Sequence, residues 1–250
     1  MRGLGLSGAG AEAAVIEVRN LAFTYRRQPV LRDVSFVVSP GETVSVVGAN
    51  GAGKTTLLRV LATLAVPDSG AVMIDGQDAF LRPLRYRRQI GYLPERVSLY
   101  DDMTVKDYLH YRASLKGEPA KRVRRRVSEA VEICRIGDLT RTSIRWLSSG
   151  LRKRVALADA LLLRPRVLLL DDFLAGLDDD MRQSAGEMLS NAAAFSSVIV
   201  TGHELWDFAQ WTSRFLVLRG GVIATTVDTA GIEADVLVER VQNALHGRDQ

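Results

Sequence analysis

The chain has 250 residues, 47% hydrophobic and 25% charged, the balance of a folded soluble protein rather than a disordered or fibrous one. Lysine and arginine number 33 against 29 aspartates and glutamates, a net charge of +4 that is far below what a dedicated nucleic-acid binder carries. The single cysteine, Cys134, excludes a disulfide framework, and no apolar run approaches the ~18–20 residues of a membrane-spanning helix. A cytoplasmic chain is expected, with any membrane association coming through a partner.

In chain order, residues 1–13 read as a flexible tail, 14–228 as the main domain, and 229–250 as a C-terminal helix and tail. AVIEVRNLAFTY (14–25) and VSFVVSP (34–40) alternate apolar and polar residues, as half-buried antiparallel strands do. TVSVVG (43–48) is a short apolar run ended by glycine, and LLRVLATLA (57–65) has helical spacing. AVMIDG (71–76) is a further strand with its own turn. From about 80 to 160 strand signals thin and arginines cluster, which predicts an inserted, mainly helical lobe. Strand patterns return at VLLLDD (167–172), SVIVTG (197–202) and RFLVLRGG (214–221), with helical segments between. That alternation predicts an α/β fold with a parallel central sheet and an antiparallel β-subdomain near the N-terminus.

Between the strand at 43–48 and the helix after it lies Gly48-Ala49-Asn50-Gly51-Ala52-Gly53-Lys54-Thr55, followed by Thr56. The pattern is G-x-x-x-x-G-K-[ST], in the strand-to-helix context that the motif requires. Its glycines let backbone N–H groups turn inward on an anion, and the helix start adds a positive dipole end. Lys54 is placed for the β- and γ-phosphates of a nucleotide, and the Thr55 hydroxyl for Mg²⁺. The buried run at 167–170 ends in Asp171 and Asp172. A carboxylate there suits the metal, which assigns Asp171 to Mg²⁺ and leaves Asp172 to orient or deprotonate a water.

Together with further segments, these motifs resemble the nucleotide-binding subunits of ATP-binding cassette (ABC) transporters, from about Val15 to Ala224. Leu147-Ser148-Ser149-Gly150-Leu151 is similar to that family's signature, departing from it at Ser149 and Leu151. The resemblance implies that Ser148, Ser149 and Gly150 close over ATP held by the phosphate loop of a second subunit. It also implies that Tyr25 stacks on adenine, Asp178 lies in a loop touching that subunit, and His203 contacts the γ-phosphate. Glu95 occupies the place of a glutamine that senses Mg²⁺ and the membrane partner, and Asp172 that of a glutamate. A stretch at 99–117 is similar to bacterial export ATPases.

Two basic clusters, Arg82 to Arg88 and Lys121 to Arg126, lie in the helical lobe. They read as solvated helix faces, with attraction to anionic headgroups (~1 kcal/mol per residue) as the alternative. No aromatic interleaving accompanies them, so no nucleic-acid partner is expected. The reading implied is an ATP-hydrolysing subunit using ATP and Mg²⁺ at the cytoplasmic face of the cell membrane. It is expected to work with transmembrane permease subunits and a second ABC ATPase subunit, identical or homologous. A soluble ABC-type ATPase in cofactor assembly and a slowly hydrolysing nucleotide switch are the alternatives.

Overall fold

The computed structural model describes residues 15–247, so the expectations for 1–13 and for 248–250 lie outside the described residues. Strands β1 (Ile16–Tyr25) and β2 (Gln28–Val38) pair antiparallel, and β3 (Thr43–Val47) leads into helix α1 (Lys54–Leu61). β4 (Ser69–Ile74) returns antiparallel to β1, and β5 (Gln77–Asp78) extends that sheet. Then come α2 (Pro83–Arg87), β6 (Ile90–Leu93), α3 (Val105–Leu115), α4 (Ala120–Ile133) and α5 (Ser149–Leu161). β7 (Val167–Leu170), α6 (Asp179–Ala193), β8 (Ser197–Thr201), α7 (Leu205–Trp211) and β9 (Arg214–Arg219) follow. β10 (Val222–Asp228) and α8 (Ala234–His246) complete the described chain.

The larger sheet has the order β10-β9-β3-β8-β7-β6, parallel from β9 to β6 with β10 antiparallel at one edge. TVSVV, VLLL and SVIVT are buried at every position, as strands covered on both faces must be. Their side chains alternate between two cores. Leu168, Leu170, Val198 and Val217 face one cluster, shared with α3, α4, α5, α6 and α8. Val167, Leu169, Ile199 and Leu216 face the other, shared with α1 and the antiparallel sheet. Each such Leu or Val adds roughly 1.5–3 kcal/mol by leaving water. The sheet is thereby a rigid platform, and the loops at its strand ends are held by it.

Two details differ from expectation. The helix read over 57–65 ends at Leu61, because Thr63 turns left-handed at φ 56° and leaves Leu64 59% exposed. The Arg87 guanidinium donates to Thr63 Oγ1 and Thr63 O, both at 2.8 Å, so Arg87, though exposed, also caps that turn. Within the stretch read as mainly helical, Ile90–Leu93 is a strand in register with Val167 to Leu170. Four residues are too few to show a period, and pairing with a fully buried neighbour decides the matter.

Candidate nucleotide and metal site

The loop at 48–55 leaves β3, Glu95 follows β6, Asp171 and Asp172 follow β7, and His203 follows β8. All stand at the carboxyl ends of parallel strands, the rim where open α/β sheets bind ligands. Gly53 precedes α1 at φ 107°, where an added Cβ would lie 3.0 Å from Leu31 Cδ2 and 3.2 Å from Val30 O. No side chain caps α1, so its first-turn N–H groups face the loop. Asn50 and Gly51 are exposed, and Ala52 is half-buried.

Lys54 Nζ donates to Gly48 O at 2.7 Å and Ala49 O at 3.3 Å, and lies 3.4 Å from His203 Nε2. Burial holds its pKa below the usual lysine value, against the pull of Asp172 and Asp171. Thr55 Oγ1 donates to Asp171 Oδ1 at 3.1 Å, and Thr201 Oγ1 donates to the same oxygen at 2.9 Å. Asp171 is buried, which raises its pKa, while the bonds from Thr201 and Thr55 pull it back. Its Oδ2 is buried with no hydrogen-bond partner among the described residues. A threonine hydroxyl beside such an orphaned oxygen fits a hard divalent cation whose other ligands are phosphate and water. Among the described residues, no group of three or more His, Cys, Asp or Glu could hold a metal alone.

Asp172 takes a left-handed φ of 49°. Its N–H donates to Thr201 Oγ1 at 3.0 Å, and its carboxylate Oδ1 is buried without a partner among the described residues. Burial and the charge of Glu204 raise its pKa, while His203 and Lys153 oppose them. Glu95 is exposed, and its charge adds to the rise at both aspartates. Tyr25 ends β1 with its ring 58% exposed; with Phe23, Val30, Thr56 and Arg59 it lines a cleft of about 730 Å³ beside α1.

Ser148 caps α5, accepting from Leu151 N at 3.3 Å, and Asp178 caps α6, accepting from Met181 N at 2.9 Å. Ser149 is exposed, whereas a Cβ on buried Gly150 would collide with Met181 Sδ. No hydrogen bond joins Ser148, Ser149, Gly150 or Asp178 to the phosphate loop among the described residues. Three residues at the site escaped the sequence reading: Thr201, Lys153 and Glu204. Thr201 was within reach, as the last residue of a buried strand two positions before His203. Lys153 and Glu204 carry no local pattern that separates them from other surface charges.

Fold and loop together define a P-loop nucleotide-binding protein. The family model described as "ABC transporter" matches residues 31–175. The lipopolysaccharide export system ATP-binding protein LptB of Haemophilus influenzae is 31% identical over 235 residues, 91% of this chain and 96% of its own. The sulfate/thiosulfate import ATP-binding protein CysA of Methylococcus capsulatus is 34% identical over 215 residues, covering 83% of this chain but 61% of its own. A solved structure, "Structure of ATP binding subunit of ABC transporter", superposes with a TM-score of 0.79 at 28% identity, over 91% of this chain and 99% of that one. The chain belongs to the ABC transporter family, as an ATP-binding subunit.

Proposed function

We propose that the chain hydrolyses ATP to drive export through separate membrane subunits, with two ATP-binding subunits closing over the nucleotide. The observation that carries the reading is the meeting of Thr55 with Asp171 at 3.1 Å, from positions 116 residues apart in the chain. Lys54 would leave Gly48 O and Ala49 O for the β- and γ-phosphates, as a mobile ammonium does readily. Thr55 and Asp171 would hold Mg²⁺, which when bound neutralises charge on the phosphate oxygens. Asp172 would orient the attacking water, and His203, 3.4 Å from Lys54, would face the γ-phosphate. Glu95 would act beside the metal. Tyr25 would stack on the base, in the cleft that it shares with Thr56. Ser148, Ser149 and Gly150 of one subunit would complete the site of the other, with Asp178 at the contact between them.

Export is supported by the segment at 99–117 and by the export-system relative, which this chain spans almost end to end. Among the described residues no helix is long and apolar enough to cross a membrane, which suits a chain held at the cytoplasmic face by partners. The docking surface proposed is a cleft of about 630 Å³ where Leu84 and Leu115 are exposed beside Arg85 and Arg88. Its occupant would be a segment of the transmembrane subunit bearing apolar and acidic side chains. ATP turnover by the full chain, measured beside Lys54→Ala, tests the hydrolytic reading: equal rates would overturn it. ATP-driven flux in inverted vesicles, with the membrane subunits present, tests the direction.

A further inference from the structure

Lys153 stands on α5, five residues after the Ser148 cap, and its side chain reaches the loop that leaves β7. Its Nζ donates to Ala175 O at 2.5 Å, Phe173 O at 3.1 Å and Asp172 O at 3.2 Å. An ammonium has three N–H donors, and three carbonyls of one loop take them. We infer that Lys153 is a positioning residue for hydrolysis: it clamps this loop from α5 and so fixes where the Asp172 carboxylate points. The inference rests on the hydrolytic reading given above.

Asp172 gains from such a clamp. Its φ of 49° lies in the left-handed region, which aspartate enters more readily than most residues but still less readily than extended or helical backbone, so contacts from outside the loop help to hold it there. Thr201 Oγ1 holds its N–H and Lys153 holds its C=O, so both backbone polar groups of Asp172 are fixed from outside the loop. With the peptide units on either side anchored, the carboxylate keeps only its own side-chain rotations. A surface lysine salt-bridged at random has no such geometry. The ammonium also faces the acidic side of the site: the charges of Asp172, Glu204 and Glu95 favour its protonated form against burial.

The same contacts join two functional elements. α5 begins at Ser148 and Gly150, and its fourth residue beyond Ser149 grips the loop of Asp172. A shift of α5 along its axis therefore moves three carbonyls of that loop together. Without the clamp, the loop can relax from its left-handed turn, and displacement of a reacting group by about 1 Å can cost on the order of 10²-fold in rate.

The test uses the full chain with MgATP and compares the parent with Lys153→Met and Lys153→Arg, each alone and combined with Asp172→Asn. Lys153→Met should lower kcat at least 10-fold with KM for ATP within about 2-fold, and Lys153→Arg, which keeps charge and donors, should recover a large part of the loss. In the Asp172→Asn background, Lys153→Met should add less than about 2-fold, because the carboxylate that it positions is gone. Thermal melting checks that each variant is folded; should Lys153→Met not fold, Lys153→Gln carries the same comparison. An unchanged kcat in Lys153→Met, or an equal loss in both backgrounds, overturns the assignment of Lys153. A parent with no turnover, by contrast, overturns the hydrolytic reading and the assignment with it.

Discussion

Thr201 Oγ1 donates to Asp171 Oδ1 at 2.9 Å while accepting the Asp172 N–H at 3.0 Å, so one hydroxyl orders both carboxylate residues. Thr201 ends β8 and the aspartates follow β7, and the parallel register of those strands (Leu170 opposite Val200) brings them level. Secondary structure thus delivers the hydroxyl, and the hydroxyl sets which Asp171 oxygen remains for a ligand.

Replacing Thr201 by valine keeps the shape and removes both bonds. Asp171 Oδ1 would retain Thr55 alone, and the Asp172 N–H would be left unsatisfied at a half-buried place. A loss of about 1–3 kcal/mol in unfolding free energy is expected. Turnover should fall as well, while serine at the same position should restore most of both. Denaturant titration of the three proteins, with steady-state rates beside it, checks this; a valine variant as stable and active as the parent would refute the role of the hydroxyl.

Much of this architecture was legible in the residues. The phosphate loop, the Asp171-Asp172 pair and His203 each end an apolar run, and runs of that kind are what period and composition reveal. Strand β6 was not, because Ile90–Leu93 is shorter than any period and its pairing with β7 is long-range. The reach of Lys153 was not, because a lysine in Arg-Lys-Arg looks the same whether it meets solvent or three carbonyls. The end of α1 depended on Thr63 and on Arg87, 24 positions later, which no local rule joins. Contacts between distant segments, more than local propensity, separated the structure from its reading.

Asp159 on α5 joins the helices of the lobe. Arg112 Nη2 donates to it at 3.0 Å, Lys116 Nζ lies 2.9 Å away, and the Tyr108 hydroxyl donates at 3.4 Å. Asp159→Ala would leave Arg112 and Lys116 mostly buried without their anion, a change worth about 2–4 kcal/mol after allowance for their partial exposure. Burial already depresses the Lys116 pKa and Asp159 opposes it, so the variant should depress it further. For a base whose folded pKa lies below its unfolded one, the unfolded chain binds more protons between the two values. Stability should therefore rise with pH on the alkaline side, up to about 10.5, and more steeply in the variant than in the parent. Urea titrations at two alkaline pH values measure both effects, and a parent-like slope would count against the account.

The cleft beside α2 offers a test of docking. Leu84 is 78% exposed there and Leu115 60%, so the two offer apolar surface to a partner in the same cleft. Around them the exposed Arg85 and Arg88 present positive charge, while the Lys116 ammonium is turned to Asp159. Arg85→Glu together with Arg88→Glu should weaken co-purification with the membrane subunits by about 10-fold or more, as like charges meet at the rim. Retention by the parent should fall with rising salt if the charges act through solvent. Retention of the double variant at the parent's level would move the docking surface elsewhere.

Asp172 carries the last prediction. Its side chain is one methylene shorter than the glutamate that the family resemblance places here, so its carboxylate would stand back from an attacking water by ~1 Å, a displacement that can cost on the order of 10²-fold. The isolated chain is therefore expected to bind ATP well and hydrolyse it slowly. The left-handed φ of 49° makes asparagine a suitable probe, because aspartate and asparagine both tolerate that conformation, and the change removes the charge and turns one acceptor oxygen into a donor at nearly the same size. Asp172→Asn should slow turnover by a further 10-fold or more and leave ATP affinity within about 3-fold. Asp172→Glu should raise kcat by lengthening the reach, unless the loss of the left-handed preference relaxes the loop, which melting would report as a lower transition temperature. Single-turnover rates on the three proteins separate chemistry from product release. If Asp172→Asn hydrolysed ATP as fast as the parent, the catalytic carboxylate would have to be sought elsewhere in the site.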